Sequence, residues 1–243
     1  MFNNLPNPLI LGHRGYSSLA PENTMVAFDK CVELKIPGIE FDVHLTKDGK
    51  LVIIHDHDLS RVASVNALVE ELTWAELKEL DVGSHKNSSF KNERIPLLEE
   101  LFDRHKNNLF YDIELKEETF KETSLGEKVF AAIKKAKLEE YCMVSSFNPF
   151  ALRHFNKYAK NTIPMATIFA IDEEVPKILQ RGFGRHLAPT TILKPEFKQV
   201  DRKLIKKNYP IITWTVDDIQ TGENLIEMGV KGLISNDPKK FLN

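Results

Sequence analysis

Polar and apolar residues alternate strictly along Ile39-Glu40-Phe41-Asp42-Val43-His44-Leu45, the odd positions apolar and the even ones ionisable. A period of two predicts a strand that sends Glu40, Asp42 and His44 to one face and the apolar set to the other. The same pattern returns at Tyr111-Asp112-Ile113-Glu114-Leu115-Lys116, which places Asp112, Glu114 and Lys116 together. An ordinary half-buried strand turns its polar face to water. Two strands whose polar faces carry acids predict convergent carboxylates, a composition suited to a hard metal ion.

Further short apolar or alternating runs predict strands at 9–12, 39–46, 51–55, 109–116, 141–147, 164–169, 186–189, 211–216 and 232–235. Amphipathic stretches at about 24–35, 97–106, 124–137, 149–158, 172–181, 199–207 and 218–228 predict helices between most of them. This alternation implies a parallel sheet with crossover helices, either open or closed. Thr46-Lys47-Asp48-Gly49-Lys50 is too short for a parallel crossover, and Asp-Gly favours a hairpin, so 51–55 should fold back on 39–46. Eight parallel strands then remain, and the expected class is α/β, a (β/α)8 TIM barrel. A hairpin centred on Asp48-Gly49 pairs positions summing to 97 and sets His55 opposite Asp42, unless the register slips by one residue. Residues 56–100 break the repeat and predict a small capping insertion after the hairpin at the end of strand 2, with Thr73 capping a short helix. The chain, 1–243, reads as one barrel domain carrying that insertion.

Composition adds mainly exclusions. The 42% apolar and 28% charged content is that of a globular protein, and a net charge of −2 gives no reason to expect nucleic acid or an anionic membrane as partner. No apolar run approaches the ~20 residues needed to span a bilayer, and Met1–Leu11 lacks a signal peptide's charged start, so a cytoplasmic protein without stable membrane association is expected. Cys31 and Cys142, lacking CxxC spacing, are expected reduced and buried.

His13-Arg14-Gly15 ends the first strand, at the end where barrel active sites assemble, and the planar Arg14 fork suits phosphate oxygens. Taken alone, Glu22 is a first-turn acid favoured by the helix dipole. The ordered series His13-Arg14-Gly15, Pro21-Glu22-Asn23-Thr24, Glu40-Phe41-Asp42-Val43, Thr46-Lys47-Asp48-Gly49, His55-Asp56 with Leu59 and Arg61, Glu93-Arg94-Ile95-Pro96-Leu97, Glu114-Leu115-Lys116 and Trp214-Thr215-Val216 resembles the glycerophosphodiester phosphodiesterase family, in its bacterial cytosolic form. The closing Met228-Gly229-Val230-Lys231-Gly232-Leu233-Ile234-Ser235-Asn236-Asp237-Pro238 looks like the same family's last strand.

The resemblance implies a TIM-barrel phosphodiesterase releasing glycerol 3-phosphate and an alcohol with one divalent cation. By it, Glu40, Asp42 and Glu114 are metal ligands, and His13 and His55 the acid/base pair. Arg14 and Lys116 are phosphate contacts, Glu22 a supporting polar group, and Trp214 a wall of the substrate pocket. Carboxylates without thiolates favour Mg²⁺ or Ca²⁺. The expected partner is a small glycerophosphodiester, and the chain a monomer or homodimer. Two departures from the family, Val62-Ala63 for a threonine pair and Asp217 for asparagine, are expected to affect the alcohol pocket and not the metal or the histidines. His44 is expected at the rim, and histidines 57, 85, 105, 154 and 186 on loops or helix surfaces. Two alternatives stand beside this reading. His55-Asp56-His57 could be the HxH pair of a zinc amidohydrolase-type barrel, or the barrel could bind phosphodiesters without catalysis.

Overall fold

The computed structural model describes residues 6–242, so the opening of the Met1–Leu11 segment lies outside the described residues. Nine strands form one sheet: β1 (Leu9–His13), β2 (Gly38–Leu45), β3 (Leu51–Ile53), β4 (Phe110–Leu115), β5 (Cys142–Ser146), β6 (Met165–Phe169), β7 (Ile192–Pro195), β8 (Ile212–Thr213) and β9 (Gly232–Ser235). The order β7-β6-β5-β4-β2-β1-β9-β8 is parallel throughout, and β3 alone pairs antiparallel with β2. Parallel bridges Leu193–Ile211 and Glu196–Trp214 join β7 to β8 and complete the ring of eight. The helices α1 (Met25–Glu33), α4 (Leu98–His105), α5 (Leu125–Ala136), α6 (Pro149–Ala159), α7 (Arg202–Ile205) and α8 (Ile219–Glu227) form the barrel's crossovers. Side-chain caps start several of them: Asn148 accepts from Phe150 N–H ahead of Pro149, and Asp218 from Thr221 N–H.

The period-two pattern sorts side chains between two cores. Outward residues Phe41, Tyr111, Ile113 and Val144 pack with Phe28, Phe102, Val129 and Phe155 of the surrounding helices. Inward residues Leu9, Leu11, Phe110, Met143, Ile192, Ile212 and Ile234 fill the barrel's N-terminal half. Gly38 belongs to this tight interior, since a Cβ there would sit 2.4 Å from the Phe110 carbonyl oxygen. Burying each large apolar side chain contributes about 1.5–3 kcal/mol, so both shells are needed to offset chain entropy. Cys31 and Cys142 are free and buried, as expected.

Val52 of β3 and the residues that follow the strand pack as a separate cluster with Ile54, Leu59, Val62, Val69, Leu77, Val82 and Ile95, which includes α2 (Ser60–Ala63) and α3 (Trp74–Leu77). The expected helix capped by Thr73 is present as α3, with the Glu76 carboxylate accepting from Thr73 N–H.

Three expectations are corrected. The strand expected at 186–189 is β7 at Ile192–Pro195, and 183–186 forms a 3₁₀ turn. The helix expected at 172–181 does not form, because Pro176 lacks the N–H and crowds the preceding turn. The hairpin pairs Val43 with Ile53 and Leu45 with Leu51, so partners sum to 96, one less than expected. Thr46 N–H bonds the Lys50 carbonyl, leaving a three-residue loop with Gly49 at φ +75°.

Candidate active site

The parallel register brings the acids together. His13 is aligned with Glu40 across β1–β2, and Asp42 with Glu114 across β2–β4. Glu40, Asp42 and Glu114 are buried, and each places a carboxylate oxygen within 4.8 Å of the other two. They lie at the C-terminal mouth of the barrel, above the apolar interior, where βα loops build sites.

Three cations face these acids. Lys116 Nζ is 3.2 Å from Glu114 and 3.7 Å from Asp42. Arg14 Nε lies 3.7 Å from Asp42, while its Nη1 donates to Glu22 at 2.8 Å. That buried Nε has no hydrogen-bond partner among the described residues. The third cation, Lys194, carries no local signature in the sequence. It crosses the barrel interior from β7 to reach Asp112 at 2.8 Å, Glu40 at 3.1 Å and Ser145 Oγ at 3.1 Å. A fully buried lysine between two carboxylates holds Glu40 in place from below.

Burial opposes ionisation of Asp42, but His55, Lys116 and Arg14, with a hydrogen bond from Asn23 Nδ2 at 2.9 Å, hold its carboxyl far below the usual range. Burial likewise works against the charge on Lys116, and Glu114 and Asp42 outweigh it and raise its pKa. Asn23 is buried against Asp42. Its φ of +55° and the bond from its N–H to the Arg14 carbonyl close the two ends of the β1–α1 loop on each other.

Both predicted histidines have their Nδ1 atoms fixed from behind. His13 Nδ1 is 2.8 Å from Asn236 Oδ1. Asn236 Nδ2 donates to Asp217 at 2.7 Å, which fixes the amide's orientation and makes His13 Nδ1 the donor. His13 Nε2 then points towards Glu40, 3.9 Å away. Burial lowers the His13 pKa, and Glu40 pulls the other way. His55 Nδ1 is 2.5 Å from Asp56, and Arg61 joins Asp56 to Glu22. Asp217 therefore reaches the first histidine through Asn236, contrary to the expectation that this departure touches neither histidine. The adjacent pair His55-Asp56 was legible in the sequence. The distant Asn236 and Asp217 were not, since only closure between β1 and β9 brings them near.

His55 does not lie opposite Asp42 in the ladder. Pairing stops at Ile53, and Ile54 N–H donates to the Asp42 carbonyl at 3.1 Å. Because the chain leaves the ladder there, the one-residue change of register does not send His55 to the far face, and its charge still acts on Asp42. Trp214 is partly buried, bonded through its indole N–H to the Lys194 carbonyl, and packed edge-on to Phe147 with centroids 5.7 Å apart. His44 is fully buried, not at the rim, and His105 is buried against Asp29. His55 and His57 turn to different carboxylates, Asp56 and Glu70, so the HxH run does not present a joint pair of imidazoles.

A ring of eight parallel strands with acids, imidazoles and cations gathered at its C-terminal mouth defines a barrel hydrolase. A model of the glycerophosphoryl diester phosphodiesterase family matches residues 13–240. A glycerophosphodiester phosphodiesterase of Caldanaerobacter subterraneus is 35% identical over 239 residues, covering 97% of this chain and 96% of that protein. An Oleispira antarctica phosphodiesterase, solved in complex with the product sn-glycerol-3-phosphate, aligns with a TM-score of 0.80 and 28% identity over 96% of this chain and 95% of that one. The glycerophosphodiester phosphodiesterase of Thermotoga maritima aligns at 0.72 and 26% identity, covering 98% of both chains. The chain belongs to the glycerophosphoryl diester phosphodiesterase family. No helix among the described residues is long and apolar enough to cross a membrane.

Proposed function

We propose that this chain hydrolyses glycerophosphodiesters to glycerol 3-phosphate and an alcohol, with one divalent cation and His13 and His55 as the proton-transfer groups. The observation that carries this reading is the meeting of Glu40, Asp42 and Glu114 within 4.8 Å, flanked by two imidazoles whose Nδ1 atoms are held from behind. A phosphodiester is an anion, and three buried acids alone would repel it. The all-oxygen, buried donor set fits a hard cation, Mg²⁺ or Ca²⁺, which when bound supplies positive charge to the phosphoryl oxygens.

The chain's own residues do the rest. Arg14 offers the buried Nε that lacks a hydrogen-bond partner among the described residues, and Lys116 a rim ammonium, to phosphoryl oxygens as charge accumulates on them. With Nδ1 engaged, each histidine works through Nε2: one takes a proton from the attacking hydroxyl, the other gives one to the leaving alkoxide. Asn236 and Asp56 fix the rings for that exchange, and Glu22 holds Arg14 and Arg61 in position. Trp214 and Phe147 form an apolar wall for the glycerol or alcohol side. Small polar diesters are the substrates this mouth suits, and the protein works in the cytoplasm as a monomer or homodimer.

The test is release of glycerol 3-phosphate from glycerophosphocholine and glycerophosphoethanolamine, with and without EDTA. Release that EDTA abolishes and Mg²⁺ or Ca²⁺ restores is the expected result. Activity indifferent to chelation, or none with either diester, overturns the reading. Oxygen-18 incorporation from a substrate lacking the 2-hydroxyl distinguishes attack by water from attack by the glycerol hydroxyl.

A further inference from the structure

We propose that His44, His57 and Glu70 form a second cation site, separate from the acidic cluster and suited to zinc. Their ligand atoms all lie within 4.8 Å of one another. His44 Nδ1 is 2.8 Å from Glu70 Oε1, and His57 Nδ1 is 2.6 Å from the same oxygen. The two rings meet edge to face, with centroids 4.5 Å apart. Each residue comes from a different part of the chain: His44 from β2, His57 from the segment after β3, and Glu70 from the 3₁₀ turn Val69–Glu71 of the insertion. The backbone assists, since Val69 N–H donates to the His57 carbonyl at 2.9 Å.

The outer nitrogens give the second, independent observation. His44 Nε2 is 3.1 Å from the His55 carbonyl, which can only accept, so Nε2 carries the hydrogen. His57 Nε2 faces the Glu118 carboxylate at 3.4 Å. A carbonyl or carboxylate behind each imidazole is the support that metal-bound histidines use, because it fixes the tautomer and aims the inner nitrogen. With its Nε2–H committed to the His55 carbonyl, the His44 ring turns its Nδ1 lone pair towards a Glu70 oxygen that also offers only lone pairs, and His57 Nδ1 meets the same oxygen. Two electron-pair donors facing each other beside a second imidazole nitrogen are reconciled by a positive centre between them.

Donor chemistry selects the ion. Two imidazoles and one carboxylate suit zinc or a similar borderline ion, whereas three carboxylates suit Mg²⁺ or Ca²⁺. Tetrahedral zinc keeps its donors roughly 3.3 Å apart. Glu70, whose side chain is 39% exposed on a short turn, need withdraw only by tenths of an ångström. The fourth position falls to water. A bound ion would staple the insertion to β2 and, through His44 and the His55 carbonyl, stiffen the segment that carries His55.

The test uses the full-length chain, stripped by chelator and returned to buffer with saturating Mg²⁺ before zinc is added. Zinc retained per chain after gel filtration is counted by mass spectrometry, and Co²⁺ replaces zinc for absorption spectra. Wild type should retain one zinc more than His57→Ala or Glu70→Gln. Glu114→Gln, which alters the acidic cluster, should keep that extra ion. Wild type with Co²⁺ should show the intense visible bands of a tetrahedral site, and His57→Ala should not. Glu70→Gln is nearly isosteric and half-exposed, so it carries the test if His57→Ala fails to fold. Zinc retention equal in wild type and Glu70→Gln, or lost only in Glu114→Gln, overturns the proposal and leaves a network held by protons alone.

Discussion

The two ends of the barrel interior are built from the same strands by the same alternation, yet they carry opposite chemistry. At the N-terminal end the inward positions are Leu9, Leu11, Phe110, Met143, Ile192, Ile212 and Ile234. One or two inward positions further along, the same strands supply His13, Asp112, Glu114, Ser145 and Lys194, joined by Glu40 and Asp42 of β2. The difference teaches that a strand's apolar content fixes its place in the fold, while the identity of its last inward residues fixes what the barrel does. Substitutions at the mouth should therefore move turnover with little loss of stability, and substitutions at the base the reverse.

The largest separation is expected from Asp42→Asn. Turnover at saturating metal, per folded molecule, should fall by at least ~10³-fold, equivalent to about 4 kcal/mol of barrier. The loss should equal or exceed that of His13→Ala or His55→Ala, because proton transfer alone is worth about 10²–10⁴-fold. Near-normal turnover in Asp42→Asn would refute the assignment of the acidic cluster. Lys194→Met comes next and should blur the contrast, since it strips the counter-charge from Glu40 and Asp112 together. Urea unfolding should show a loss of about 3–5 kcal/mol, accompanied by lower turnover. Unchanged activity in a destabilised Lys194→Met would confine that lysine to the fold.

Met143→Ala tests the base, with an expected cost of about 2–5 kcal/mol in urea and unaltered turnover per folded molecule. The smallest effect concerns pH. Burial opposes ionisation of Glu22, but Arg61 and Arg14 outweigh it and bring its pKa to about 2 from 4.5. A carboxyl depressed in the folded state stabilises above its unfolded pKa and loses that contribution as pH falls through the folded value. Wild type should exceed Glu22→Gln by about 1–2 kcal/mol at pH 7, allowing for the half-exposed Arg61, and the gap should close between about pH 4.5 and 2. A gap that persists at pH 2 would assign the difference to packing instead of charge.

Much of this was legible where local pattern and global role agree. β2 and β4 announced themselves by strict alternation, and β9 matched its expected bounds. β7 did not, because Ile192-Leu193-Lys194-Pro195 is only four residues long and its central lysine reads as a solvent-facing break. That lysine is buried because its partners stand on strands far away in sequence, a fact no local window contains. The hairpin register missed by one because Gly49 adopts a left-handed backbone inside a three-residue loop, which Asp-Gly alone does not distinguish from a two-residue turn. The burial of His44 is equally hidden from a local window, since the insertion that covers it lies beyond the hairpin. Among the site residues, those in short ordered motifs were found, and Asn236, Asp217 and Lys194, gathered by ring closure, were not.

The ammonium that spans the cavity from β7 to β2 and β4 makes the mouth a product of the finished circle. A truncated half ending after β5 would contain Glu40, Asp42, Glu114 and both imidazoles, yet would leave Glu40 and Asp112 facing each other without their shared counter-charge. Splitting or permuting this barrel therefore separates the possession of its chemical groups from their alignment, and only reassembly of the two halves would restore the latter.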